Sequence, residues 1–221
     1  MDSKVVNREI KKSIWPVLKA AGFARFTSRK AWRHNADSID VLEFQSHNSY
    51  NAGVLDITTY SFSVNLGKYL LYVPPQWPPP SKDGVLLPLE CGCIFRGPLM
   101  PQVHAARSSP NIWSIDADGR NLLWSMKDVS NQLASALEWF SRLDDRAEVL
   151  RILLEDKSDM RRLSGFGNNP SPTRSYHAGY VALSLGDRST ATTKLQEAVD
   201  SKCYETLFSN VDEAISRASP A

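Results

Sequence analysis

Apolar residues near the start of the chain fall at Val6, Ile10, Ile14, Val17, Leu18 and Ala21, the spacing of an amphipathic helix, with Lys4, Arg8, Lys11, Lys12 and Lys19 on a different face. Asp2 or Ser3 suits the start of that helix and Gly22 its end. Pro16 lacks an amide hydrogen and crowds the carbonyl four residues back, so the pattern predicts a kink near Trp15 or a break into two shorter helices.

From residue 23 to about 115 the pattern changes to short β-type runs. Residues 39–45 alternate, with Ile39, Val41 and Glu43 on one face and Leu42 and Phe44 on the other. Thr58, Tyr60, Phe62, Val64 and Leu66 repeat every second residue and predict a half-buried strand. Residues 30–34, 90–96 and 111–115 are weaker strand candidates. Together they predict an antiparallel sheet covered on one side by helices. Residues 73–81, VPPQWPPPS, exclude a central strand and favour a stiff polyproline-type connection whose Trp77 packs on its own domain. A PxxP ligand from Pro75 to Pro78 is the alternative reading of the same stretch.

Beyond Gly119 the period is helical again. Trp124, Val129, Leu133, Ala136, Leu137, Phe140 and Leu143 line one side of a helix starting near Ser125 or Asp128. Asp145 and Glu148 have capping-box spacing and open another helix through Val149, Leu150, Leu153 and Leu154. Residues 164–172 are dense in turn formers and read as a linker. Three helical stretches follow, at 174–185, 190–201 and 204–217. The first two resemble a single tetratricopeptide-type hairpin, with Ala178, Gly179, Ala191 and Ala198 as points of close approach. The expected class is α+β: an antiparallel β-sheet flanked by an N-terminal helix and following helices, with a C-terminal helical appendage. The expected division is an α+β domain over 1–158, a linker over 159–172, and a helical hairpin plus helix over 173–221.

Charge alters this picture in one respect. The net charge is +2, but residues 1–35 hold nine basic residues against two acidic ones, so the other 186 residues carry −5. Such a balance argues against nucleic acid and for a solvated basic helix face able to meet an acidic protein surface. No run approaches the length of a membrane span, and the charges spread through residues 1–23 leave no signal-type apolar block. Three cysteines, an odd and sparse set, fit a reducing compartment, so the expected location is the cytoplasm.

Candidate chemistry is thin. Cys91-Gly92-Cys93, read as part of a strand, projects both thiols to the face of Phe95, where they serve as small core residues; zinc would need two further ligands. His34, His47, His104 and His177 are scattered, with no second ligand at metal-binding spacing. No phosphate-binding loop or nucleophile elbow is present, and Gly165-Phe166-Gly167 lacks the third glycine of a dinucleotide loop. No cofactor is expected. The alternative to a binding protein is a hydrolase or nucleotide-processing enzyme whose site is assembled through space from His47, Asp40, Glu43 and Arg96.

IWPVLKAAGF (14–23), FQS (44–46), FSVNLG (62–67), CIFR (93–96) and the NIWSI stretch, followed by two helices, resemble the bacterial family known as domain of unknown function 4304 over about residues 4–155. Where that family often has paired tryptophans this chain has Ile112-Trp113, and Gly97-Pro98 follows Arg96 in place of a longer strand. The resemblance implies an α+β domain and brings no catalytic residues. By analogy with small bacterial proteins of this type, it implies an immunity or accessory protein that binds another protein. The expected contact residues are Lys4, Arg8, Lys11, Lys12, Lys19, Trp77 and Arg96.

Overall fold

The computed structural model describes residues 3–155, 165 and 169–218. The N-terminal pattern resolves into two helices, α1 (Ser3–Ser13) and α2 (Trp15–Ala20). Pro16 stands in the first turn of the second, where its missing amide breaks no helical bond. Val6, Ile10, Ile14 and Leu18 are buried as the spacing requires. The break at Ile14 turns Trp15 inward instead of Val17, which is 40% exposed. Gly22, at φ +91°, takes the left-handed conformation that ends α2.

The strands are β1 (Arg25–Phe26), β2 (Lys30–His34), β3 (Ser38–Ser46), β4 (Phe62–Leu70), β5 (Ser81–Lys82), β6 (Val85–Leu86), β7 (Phe95–Pro98) and β8 (Ile112–Trp113). An antiparallel sheet runs in the order β1-β2-β3-β4-β7, and β8 also pairs with β4. Two short strands thus share one edge of β4. Phe62 and Ser63 face Trp113 and Ile112, while the Leu99 amide donates to the Val64 carbonyl and the Ile94 amide to the Lys68 carbonyl. With partners on both edges, β4 is buried along nearly its whole length, not half-buried as its alternation predicts. The small two-stranded sheet β5–β6 turns at Asp83 and Gly84, both at positive φ, the conformation of a tight hairpin. The fold is α+β.

Two strand expectations are displaced. The alternation at Thr58 and Tyr60 belongs to a turn after a short helix, α3 (Ser49–Val54). There the Thr58 hydroxyl donates to the Ile115 carbonyl at 2.7 Å, so that hydroxyl does not mark an outward strand position. Residues 90–92 form a 3-10 turn and the strand begins only at Phe95, which removes Cys91 and Cys93 from the sheet.

Helix α4 (Leu122–Arg142) buries Leu122, Met126, Val129, Leu133, Ala136 and Phe140, spaced alternately four and three apart. Trp124 lies off that stripe and is 65% exposed, contrary to its expected place in the core. Asp128 faces inward among them. Its Oδ2 accepts from the Trp113 indole at 2.9 Å and the Gln102 amide at 2.8 Å, so a buried carboxylate ties α4 to β8 and the loop before it.

Helix α5 (Arg146–Leu154) is capped by Asp145, which accepts from the Ala147 amide at 2.9 Å. Glu148 does not complete the capping box. It pairs with Arg151 at 2.6 Å and with Arg142 at 3.0 Å, and these bonds, Arg151 first, lower its carboxyl pKa to about 2. Asp144, next to that cap, meets the fully buried Lys68 ammonium at 2.5 Å. After α5 come α6 (Pro172–Ser184), α7 (Arg188–Asp200) and α8 (Val211–Ser216). Arg174 is buried. Its guanidinium donates to the carbonyls of Leu153 (2.9 Å), Ile152 (2.8 Å) and Glu155 (2.7 Å), supplying donors and positive charge to the C-terminal end of α5. The expected α6–α7 hairpin is present, with Gly179 packed against Leu195. Of the helix expected over 204–217 only α8 forms; Tyr204 and Phe208 instead stack on Tyr176.

The chain forms two compact units. Unit 1 comprises residues 1–34, 40–67 and 97–139, and unit 2 comprises 35–39, 68–96 and 140–221. The C-terminal helices thus share a unit with residues 68–96. The expected linker falls outside the described residues except at 165 and 169–172.

Candidate functional site

Each unit contains a concave surface that draws on residues singled out in the sequence. In unit 1 an open cleft of about 780 Å³ is lined by Ser3 and Asn7 of α1, the β1–β2 turn with Ser28, Arg29 and Lys30, the end of β3 with Glu43 and His47, and Thr59 and Tyr60. The turn is fixed locally, because the Thr27 hydroxyl accepts from the Arg29 and Lys30 amides at 3.2 and 2.9 Å. Asn7 Oδ1 accepts from Arg29 Nε at 2.8 Å, which aims the guanidinium but leaves its Nη1 buried with no hydrogen-bond partner. His47 Nε2 is also buried without a partner. Burial, and then the Arg29 charge, lower the His47 pKa, so its ring is neutral at pH 7. Lys30 and Glu43 form an ion pair at 3.2 Å.

Only part of the expected through-space constellation is assembled there. His47 and Glu43 line the cleft. Asp40 does not: three residues from Glu43 along a strand, it points to the opposite face, where it is fully buried and paired with Arg33 at 2.7 Å. Arg33 also donates to the Ala21 carbonyl at the end of α2, which makes the pair a structural clamp. Arg96 belongs to unit 2, where it lies 3.4 Å from Glu90 and donates to the Cys91 carbonyl. The basic residues Lys4, Arg8, Lys11, Lys12 and Lys19 are all exposed on α1 and α2, as their phase predicts.

In unit 2 a groove of about 310 Å³ lies among the proline segment 73–77, the turn at 91–94, Tyr69, Tyr176 and His177. The proline backbone is held from below: the Tyr176 hydroxyl donates to the Pro74 carbonyl at 2.8 Å and Arg217 donates to the Pro75 carbonyl at 3.3 Å. Trp77, expected to pack on its own domain, is 82% exposed. Fixed φ angles and these two anchors project its indole into solvent. Cys91 is exposed, whereas Cys93 is buried and donates from Sγ to the Leu89 carbonyl at 3.4 Å. Both are free thiols, and lying outside a strand they do not share a face. His177 is 8% exposed, its Nδ1 has no partner, and burial lowers its pKa to about 4.

Among the described residues no group of three or more His, Cys, Asp or Glu is placed to hold a metal ion, and no helix is long and apolar enough to cross a membrane. Arg29, Thr59, Tyr60 and His177 had no distinguishing sequence signal: Arg29 was one of nine N-terminal basic residues, and Tyr60 was read as a strand position. Comparison of the chain with protein-family models, curated proteins and solved structures finds no match.

Proposed function

We propose that the chain is a non-enzymatic protein-binding module that grips its partner through Trp77. The observation that carries this reading is a tryptophan 82% exposed at the tip of a proline segment whose backbone is anchored by Tyr176 and Arg217. A backbone held in place before binding leaves less conformational entropy to lose, and tryptophan is enriched among the residues that dominate interface energetics. The exposed lysines and arginine of α1 and α2 support an acidic partner surface, since charge complementarity speeds encounter and excludes wrong partners. Arg96 contributes a further half-buried cation in unit 2. The resemblance to domain of unknown function 4304 supports, as one form of this reading, an immunity-type inhibitor of a bacterial toxin domain acting in the cytoplasm. The enzymatic alternative is weakened, because Asp40 is consumed by Arg33 and Glu43 by Lys30.

Affinity capture on the full chain from its native host, read by mass spectrometry, tests the proposal. One stoichiometric acidic protein that is captured by the wild type and lost with Trp77→Ala supports it. Capture unaffected by Trp77→Ala, or no stoichiometric partner, refutes it.

A further inference from the structure

We infer that the solvent face of α4 is a surface on which a second copy of this chain docks, helix against helix in antiparallel orientation. Two large apolar side chains, Leu123 and Trp124, stand next to one another in the first turn of α4, 64% and 65% exposed. Val103, 42% exposed, extends this apolar end, because its amide and that of Gln102 donate to Asp128, one turn beyond Trp124. Single apolar side chains on a surface need no explanation, but adjacent ones this open to water mark a contact. From them an exposed stripe continues along the helix through Lys127, Asn131, Ala134, Ser135 and Glu138, all within unit 1.

The order of residues on the stripe selects the occupant. Lys127 and Glu138 are eleven residues apart, about three turns, so they lie on one line along the helix with Asn131 between them. Neither side chain makes an ion pair or hydrogen bond with the described residues. Parallel pairing of two copies would set lysine against lysine and glutamate against glutamate. Antiparallel pairing about a twofold axis at Asn131 sets each Lys127 opposite Glu138 of the other copy, giving two symmetry-related ion pairs. Side chains lean toward the N-terminus of their helix, so each lysine stem crosses the opposite helix at Ala134 and Ser135, whose short side chains leave it room. Leu123 and Trp124 lie beyond these pairs at each end of the contact and shield them from water, which strengthens the attraction. One surface is thus complementary to itself in both size and charge, as an isologous dimer requires.

The dimer rests on α4 alone and not on the partner proposed above, so its test uses the full chain by itself. Sedimentation velocity is run over a range of concentrations at low ionic strength for the wild type, Lys127→Glu, Glu138→Lys, the double reversal Lys127→Glu with Glu138→Lys, and Trp124→Ser. The wild type is expected to convert reversibly from monomer to dimer as concentration rises. Each single reversal turns both pairs into like charges and is expected to weaken the dimer about tenfold or more, and Trp124→Ser to weaken it about tenfold. The double reversal is expected to return the affinity to within about threefold of the wild type. The substituted positions are all exposed, so circular dichroism of the variants is expected to match the wild type. The inference is overturned if the wild type stays monomeric at every concentration, if any single substitution leaves the dimer unchanged, or if the double reversal is as weak as the single ones.

Discussion

His177 ties the stability of unit 2 to pH. Its imidazole is buried on α6 with an unpartnered Nδ1, and burial lowers its pKa from 6.5 to about 4. The unfolded chain therefore binds a proton that the folded chain refuses across this window, and stability rises with pH. The full contribution is present above pH 6.5 and is lost as pH falls toward 4. The gap of about 2.5 pH units corresponds to roughly 3 kcal/mol, with a slope approaching 1.4 kcal/mol per pH unit in mid-window. At 8% exposure, solvent screening reduces this little. The assay is urea unfolding followed by tryptophan fluorescence from pH 4 to 7.5, for the wild type and His177→Gln. The substitution is expected to lower stability at neutral pH yet flatten the profile by the slope stated. His47, whose pKa is lowered in the same direction, contributes equally to both profiles and cancels in the difference. Parallel profiles, or an NMR titration of folded His177 near 6.5, would refute the reasoning.

Two further substitutions test the packing of the two units. In unit 1, Asp128→Ala removes the acceptor of the Trp113 indole and the Gln102 amide, and is expected to cost about 2–4 kcal/mol. Asp128→Asn retains a carbonyl oxygen there and is expected to cost less than about 1.5 kcal/mol; equal losses in chemical denaturation would mean that these bonds are not what Asp128 contributes. In unit 2, Gly179→Ala gains about 1 kcal/mol of helix propensity but sets a methyl 2.6 Å from Leu195 Cγ, a clash that costs about 1–3 kcal/mol. The substitution should therefore destabilise the wild type and stabilise a Leu195→Ala background; the same sign in both would contradict the contact.

Helical periodicity carried most of the fold. Val6, Ile10, Ile14 and Leu18 are buried where their spacing put them, and the two-helix outcome at Pro16 follows from ring sterics alone. Gly179 was legible as a point of helix approach because a missing side chain in a helix interior needs a packing reason. Alternation was less reliable. Thr58 and Tyr60 continue the period of β4 although the Thr58 hydroxyl is committed to Ile115, a partner 57 residues away that no local pattern contains. The cysteines were misplaced for a related reason: residues 90–92 take a 3-10 turn whose hydrogen bonds leave no trace in side-chain polarity. The unit 1 cleft was the least legible feature. Its walls come from four separated segments, and what distinguishes Arg29 from its eight basic neighbours is a buried nitrogen without a hydrogen-bond partner, a property of the folded chain only. Trp77 was visible, but whether an aromatic on a proline arm folds back or projects depends on anchors from Tyr176 and Arg217, 102 and 142 residues beyond the prolines they hold.

The central claim is that Trp77 anchors a protein partner, and the most direct test is the affinity of the captured partner for the wild type and for Trp77→Ala, measured by calorimetry on purified proteins. The account predicts a one-to-one complex that Trp77→Ala weakens by about thirtyfold or more, with the circular dichroism of the free chain unchanged. Equal affinity of the two proteins for the partner would contradict it.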